Sequence, residues 1–180
     1  TEVTVNIRKG EEWSDGKPWT AQDLVFTIQM LRENQPMLVF STDLATWVDT
    51  AIAVDDRTAK ISLTAPNPRF MFTYFTHNFD NGVPIVPKHI WEGKDAETFE
   101  NFGIEKDWPV VSGPYRMILS VPEQRVWERR DDWWAKKIGF QELPKVEKLI
   151  YLPLMDEAKT VQTMIANQID ITRDMRPSNI

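Results

Sequence analysis

The chemistry open to a chain is bounded by the reactive side chains it carries and by their spacing. This one has two histidines, His77 and His89, and neither has a second histidine at the i+3 or i+4 spacing that brings two imidazoles to one helical face around a metal. His89, between Lys88 and Ile90 in a proline-bounded stretch, is expected to pack or hydrogen-bond. Val111-Ser112-Gly113-Pro114 lacks the glycine two residues before serine that a nucleophile elbow requires. The seven glycines form neither GxxxxGK nor GxGxxG, so no phosphate cradle is spelled out. With no cysteine, thiolate metal sites, disulfides and a cysteine nucleophile are excluded. The motif search therefore yields no catalytic residue, no metal ligand and no cofactor.

Acidic pairs deserve the same scrutiny, because glycoside hydrolysis runs on two carboxylates. Asp55-Asp56 and Asp131-Asp132 are adjacent in sequence, and neighbours on a strand point to opposite faces. They read as solvated turn residues. Aromatic content is the more unusual feature: eight Trp, nine Phe and three Tyr. Each ring buries about 150–250 Å² and most are expected in the core, Phe26, Tyr115 and Trp127 among them. Phe40 and Trp47 fall in a segment without clear periodicity, so these two rings are the ones expected to stack on a ligand.

Those side chains must be positioned by a chain of 180 residues, with a mass of 21.0 kDa. That is enough for one large or two small folding units. Apolar residues make up 42% and charged residues 27%, a composition for a packed globule. The net charge of −6 and pI near 5.0 argue against a phosphate-backbone partner, so no nucleic acid is expected. No apolar run approaches the ~20 residues that cross a bilayer, and the opening Thr1-Glu2-Val3-Thr4-Val5 has no export-signal pattern. Starting inside a strand and without Met, the sequence reads as a piece of a longer polypeptide.

Alternation of Val3, Val5 and Ile7 predicts a strand, closed by Lys9-Gly10. Asp15-Gly16 predicts a tight turn, and Thr20 with Asp23 a capping box for a helix reaching about Glu33, whose buried face is Leu24, Val25, Ile28 and Leu31. The stretch from Pro36 to Trp47 is open between helix and strand. Ala51–Val54 and Ala59–Leu63 predict a hairpin around a four-residue turn, Asp55 to Thr58. Prolines make 83–91 an extended loop entering a short helical turn. The polar stretch from Gly93 to Trp108 is the expected boundary between two units. Beyond it, 113–119, 125–129 and 146–152 predict strands, Asp156 caps a helix with Ala158, Val161 and Ile165 on one face, Asn167 ends it in a left-handed conformation, and 169–172 resumes the sheet. The mixture is α+β, or mixed α/β.

The run from Ile7 to Phe26, Ile-Arg-Lys-Gly-Glu-Glu-Trp-Ser-Asp-Gly-Lys-Pro-Trp-Thr-Ala-Gln-Asp-Leu-Val-Phe, closely resembles the signature of the extracytoplasmic solute-binding proteins of ABC importers, family 5, which take up oligopeptides, dipeptides and nickel. Three further stretches agree in order: Ile85 to Trp91, Ser112-Gly113-Pro114-Tyr115, and Glu128 to Trp134. The resemblance covers nearly the whole chain, and the departures, Asn167 for Gly and Trp133-Trp134 for Tyr-Trp, preserve the local physics.

What this resemblance implies is a two-lobed periplasmic-binding-protein type II fold of which the chain is part of lobe I. Residues 1–108 would form its peripheral subdomain and 109–180 the start of its central sheet, the second lobe being absent. It further implies a receptor, not an enzyme, that captures a peptide or oligosaccharide in an interlobe cleft and delivers it to a membrane permease. Location would be periplasmic or cell-surface and the full-length protein monomeric. Arg173 and Asp174, just past Asp170-Ile171, would run along the cleft and are expected to contact solute, with Phe40 and Trp47 as the aromatic contacts. Tryptophan abundance favours sugars mildly. The competing readings are a carbohydrate-active hydrolase using paired carboxylates and an adhesive module with an exposed apolar face.

Overall fold

The computed structural model describes residues 1–76 and 82–172. Its first sheet has strand β1 (Glu2–Asn6) at one edge, where Val3 and Val5 turn half-buried toward the core between exposed Glu2, Thr4 and Asn6. The hairpin partners are β2 (Val48–Asp55) and β3 (Thr58–Leu63), and β3 takes the centre in the order β1-β3-β2, antiparallel throughout. The hairpin is tighter than expected: Asp55 and Thr58 pair with each other, leaving Asp56-Arg57 at the tip, because the Asp55 carboxylate accepts from the Arg57 amide at 2.8 Å and closes the turn itself.

Helix α1 (Ala21–Glu33) packs on this sheet as its 3.6-residue period dictates. Leu24, Val25, Ile28 and Leu31 are buried, and Ile28 is fully so. The capping box forms, with Thr20 Oγ1 accepting from Gln22 N and Asp23 Oδ2 accepting from Thr20 N at 2.8 Å. The ambiguous segment resolves into helix α2 (Ser41–Trp47), and the most apolar stretch into helix α3 (Phe70–Phe75). Leu44, Val48, Ile61, Leu63, Phe70 and Tyr74 complete one continuous core. At about 1.5–3 kcal/mol per fully buried large side chain, that cluster is the main source of stability here.

After the short helix α4 (Lys88–Trp91), the polar stretch carries a 3₁₀ turn (Ile104–Lys106) and an edge-to-face series in which Phe99 meets Trp91 at 4.9 Å and Trp108 at 5.7 Å. Strands β4 (Tyr115–Val121), β5 (Gln124–Arg129) and β6 (Lys148–Tyr151) then form a second antiparallel sheet in sequential order. Helix α5 (Trp134–Lys137) follows β5, and helix α6 (Glu157–Ile165) is capped by Asp156 Oδ1 accepting from Lys159 N at 2.9 Å. Asn167 takes the left-handed conformation at φ 56°.

Two expectations are corrected. Residues 169–172 do not resume the sheet: β-propensity needs a neighbouring ladder, and none of the described strands pairs with them. The face shared by Ala158, Val161 and Ile165 is helical as read, yet Ile165 is 81% exposed among the described residues, because period tells which residues align and not what covers them.

Candidate functional site

The signature residues near the start hold other segments in place. Trp13 N donates to Lys17 O at 2.8 Å and Gly16 N to Trp13 O at 3.0 Å, a turn that needs Gly16 at φ +81°. Asp15 Oδ2 meets His89 Nε2 at 2.6 Å. On α1, buried Asp23 accepts from Lys88 N at 2.8 Å through its second oxygen, and buried Thr27 accepts from Val86 N at 3.0 Å while its hydroxyl donates to Asp23 O at 2.8 Å. Two polar side chains on a helix thus satisfy amides of a proline-rich segment that cannot satisfy itself.

A second clamp grips 110–114. Ser14 Oγ accepts from Val111 N at 3.1 Å. The Ser112 carbonyl receives two indole donors, Trp133 Nε1 at 2.9 Å and Trp134 Nε1 at 2.8 Å. Arg130, 5% exposed, donates through Nη1 to Gly113 O at 3.0 Å, and its own amide donates to Pro114 O at 2.8 Å. Burial pushes the Arg130 guanidinium below its ordinary value, and Asp132, with its Oδ1 at 3.6 Å from Nε, pulls it back up. The Glu128-to-Trp134 and Ser112-to-Tyr115 motifs are therefore two halves of one device.

The loops so held line a cavity of about 650 Å³ between the first sheet's elements and the second sheet. One wall carries Trp13 and Trp19, whose rings are tilted at 6.2 Å, with Phe75 and the segment from Gly82 to Ile85. The rest of the lining is the 110–114 loop, Tyr115, Trp127, Leu149 and Tyr151. Trp127 pairs with Leu149 across β5 and β6, and Tyr151 lies two residues further along the same face. Glu11 supplies the one charged side chain among the described lining residues. Burial raises its carboxyl above the usual range, against a smaller opposing pull from Arg8.

Phe40 and Trp47 do not line this cavity. Both are half-buried against the first core, Phe40 edge-on to Tyr74 at 6.4 Å with its backbone left-handed at φ 66°. Arg173 and Asp174 lie outside the described residues, as does His77. Asp131 and Asp132 contact Arg129 and Arg130. Tyr115 and Trp127, expected as packing residues, line the cavity instead, since the loop and strand that face each other leave space between them. Sequence reading missed Glu11, Trp13, Trp19 and Tyr151. Strand alternation could have placed Tyr151 beside Trp127, but no periodicity reveals which face will look onto a gap. Among the described residues no group of three or more His, Asp or Glu is arranged to hold a metal, and no helix is long and apolar enough to cross a membrane.

Comparison with known proteins adds an independent line. The family of bacterial extracellular solute-binding proteins, family 5 middle region, matches residues 1–180. The peptidoglycan-binding protein YepA of Agrobacterium fabrum is 32% identical over 83% of this chain and 23% of its own length. The periplasmic oligopeptide-binding protein OppA of Salmonella typhimurium is 27% identical over 97% of this chain and 33% of its own. Among solved structures, a mannohexaose-bound periplasmic oligopeptide-binding protein of Thermotoga maritima superposes with a TM-score of 0.70 at 30% identity, covering 94% of this chain and 30% of that one. The chain thus spans about a quarter to a third of the length of these relatives. Matched along its entire length, and carrying the interlocking motifs described above, the chain belongs to the bacterial extracellular solute-binding proteins, family 5.

Proposed function

We propose that this chain is part of the first lobe of an ABC-importer receptor that captures a peptide or an oligosaccharide and hands it, unaltered, to a membrane permease. The observation that carries this reading is the aromatic cavity, lined by the second sheet, by the segment between β1 and α1, and by a loop anchored by Arg130 and two indoles. Flat rings and anchored backbone suit recognition by stacking and hydrogen bonding. The names of relatives, which bind peptidoglycan, oligopeptide and mannohexaose, span both solute classes. Location outside the cytoplasm and a monomeric full-length protein belong to the same proposal. So does the division at 108 and 109, which fits one sheet within residues 2–63 and another within 115–151.

Hydrolysis by paired carboxylates is disfavoured by Glu11 standing as the lone described carboxylate on the cavity wall. Calorimetry of the full-length protein against oligopeptides and oligosaccharides, followed by a search for released product, tests the reading. Binding without turnover supports it, and turnover overturns it. Trp127→Ala is expected to weaken binding at least tenfold, as loss of a stacking platform does. Trp47→Ala and Asp174→Ala, run alongside, decide whether the contacts extend to Phe40, Trp47, Arg173 and Asp174.

A further inference from the structure

Glu11 is the starting point. It lines the cavity together with Trp13, Trp19, Tyr115, Trp127 and Tyr151, and no Lys, Arg or His stands among the described lining residues. No side-chain hydrogen bond or ion pair satisfies its carboxylate among the described residues. The neighbouring cation, Arg8, has its guanidinium 3.7 Å above the Phe140 ring. The next residue, Glu12, does find a partner in Lys137 at 3.0 Å. A carboxylate kept partly out of water, with Arg8 exerting a pull smaller than the burial cost and no ion pair or hydrogen bond to it among the described residues, is costly to the free protein. The same surroundings favour an incoming positive charge twice over, by Coulomb attraction in a partly desolvated site and by the negative faces of the indole and phenol rings.

From this we infer that Glu11 selects solutes bearing a protonated amine next to an apolar or ring face, its carboxylate pairing with the ammonium group. The inference rests on the receptor reading above and specifies what that receptor prefers. An ammonium of this kind is offered by a basic peptide side chain or by a deacetylated amino sugar, and both present the same chemistry to the site.

The experiment uses two matched pairs of probes with the full-length protein: trilysine against its side-chain-acetylated form, and glucosamine trimer against N-acetylglucosamine trimer. Calorimetry is expected to show the charged member of one pair binding at least about tenfold more tightly than its neutral partner, with Glu11→Gln erasing that preference and sparing the neutral probe. The pair that shows it identifies the source of the amine. Thermal denaturation of the unliganded variant supplies a readout that a structural role would reverse: Glu11→Gln should melt at the same temperature or higher, since it removes a partly buried charge whose desolvation outweighs the pull of Arg8. A preference that survives in Glu11→Gln, or its absence in the parent protein while Trp127→Ala still weakens binding, overturns the assignment and leaves the receptor reading standing. Failure of all four probes overturns the assignment as well, and the wider solute panel then decides the receptor reading separately.

Discussion

The two sheets of this molecule are held by opposite means. Around the first, fifteen buried residues among those described, from Ile7 to Val83, make one apolar cluster, closed by α1 and α3. Around the second, the buried cluster is Trp133, Trp134 and Ala135, with Leu143 against it, while Ile150, Tyr151, Leu152 and Leu154 are exposed along and just beyond β6. Beside the buried Met117 and Val126 of its own strands, its order draws on donors aimed at carbonyls: two indoles on Ser112, Arg130 on Gly113, and the Tyr115 hydroxyl on Val146 O at 2.9 Å. Apolar packing tolerates small shifts, whereas hydrogen bonds fix positions to fractions of an ångström. The cavity wall that must present backbone groups at defined places is built by the second method, on a base provided by the first.

The largest effect should follow from emptying the first core. Phe70 is 1% exposed and its ring packs 5.4 Å from Tyr74 and 5.6 Å from Phe75. Phe70→Ala should cost about 3–5 kcal/mol in chemical denaturation. Ile150→Ala, on the second sheet, should shift the same curve by no more than about 0.5 kcal/mol. Equal losses would show that β6 is covered in solution and would end the contrast.

Next comes the clamp. Arg130→Met keeps much of the side-chain volume but abandons the Gly113 carbonyl and the Asp132 contact, and should cost about 3 kcal/mol. Since Val111 N is also held by Ser14, the loop should loosen at Gly113-Pro114 before it loosens at Val111. Amide exchange at Tyr115 and Val111, compared in the variant, reads that order. Uniform exchange across 110–115 would mean that Arg130 merely fills space.

How much of this was legible beforehand follows the same division. The first sheet, its hairpin and α1 were readable because burial there obeys periods of 2 and 3.6, and because Thr20 and Asp23 signal a cap locally. The donors of the clamp were visible as residues, but their targets were not. Nothing in Arg130 or Trp134 names a carbonyl seventeen or twenty-two residues earlier. Glu11 was equally silent, because its importance lies in being the one charged side chain, among the described residues, on walls that only the assembled fold defines. Phe40 and Trp47 show no readable period because the helix at this point, seven residues long, is too short to display one.

A smaller effect separates the paired indoles. Trp134→Phe removes one of two donors to Ser112 O, and Trp133 still reaches it, so the loss should be about 1 kcal/mol. Removing both, in Trp133→Phe/Trp134→Phe, strips the carbonyl of its indole donors and should exceed the sum of the single losses. Simple additivity in the double-mutant cycle would show that each indole acts through packing.

The smallest effect concerns turns, where both regions use the same device. Asp55 in the β2–β3 hairpin accepts from Arg57 N at 2.8 Å, and Asp95 in the polar stretch accepts from Glu97 N at 3.0 Å. Each backbone hydrogen bond stabilises the ionised form and holds the carboxyl below its ordinary value of 3.8. A depressed folded value means that the contribution to stability is complete above pH 3.8 and disappears as pH falls through the lower, folded midpoint. Both groups are fully exposed, so the gain is small, and a carboxyl titration followed by NMR is the suitable measurement. The expected outcome is two midpoints below 3.8, with the Arg57 and Glu97 amide resonances moving at those same midpoints. If Asp55 moves its amide partner and Asp95 does not, the hairpin tip is fixed by its carboxylate while the polar stretch is fixed by its aromatic series, Trp91, Phe99 and Trp108. The contrast between polar and apolar fixing would then recur within single loops, at the scale of one turn.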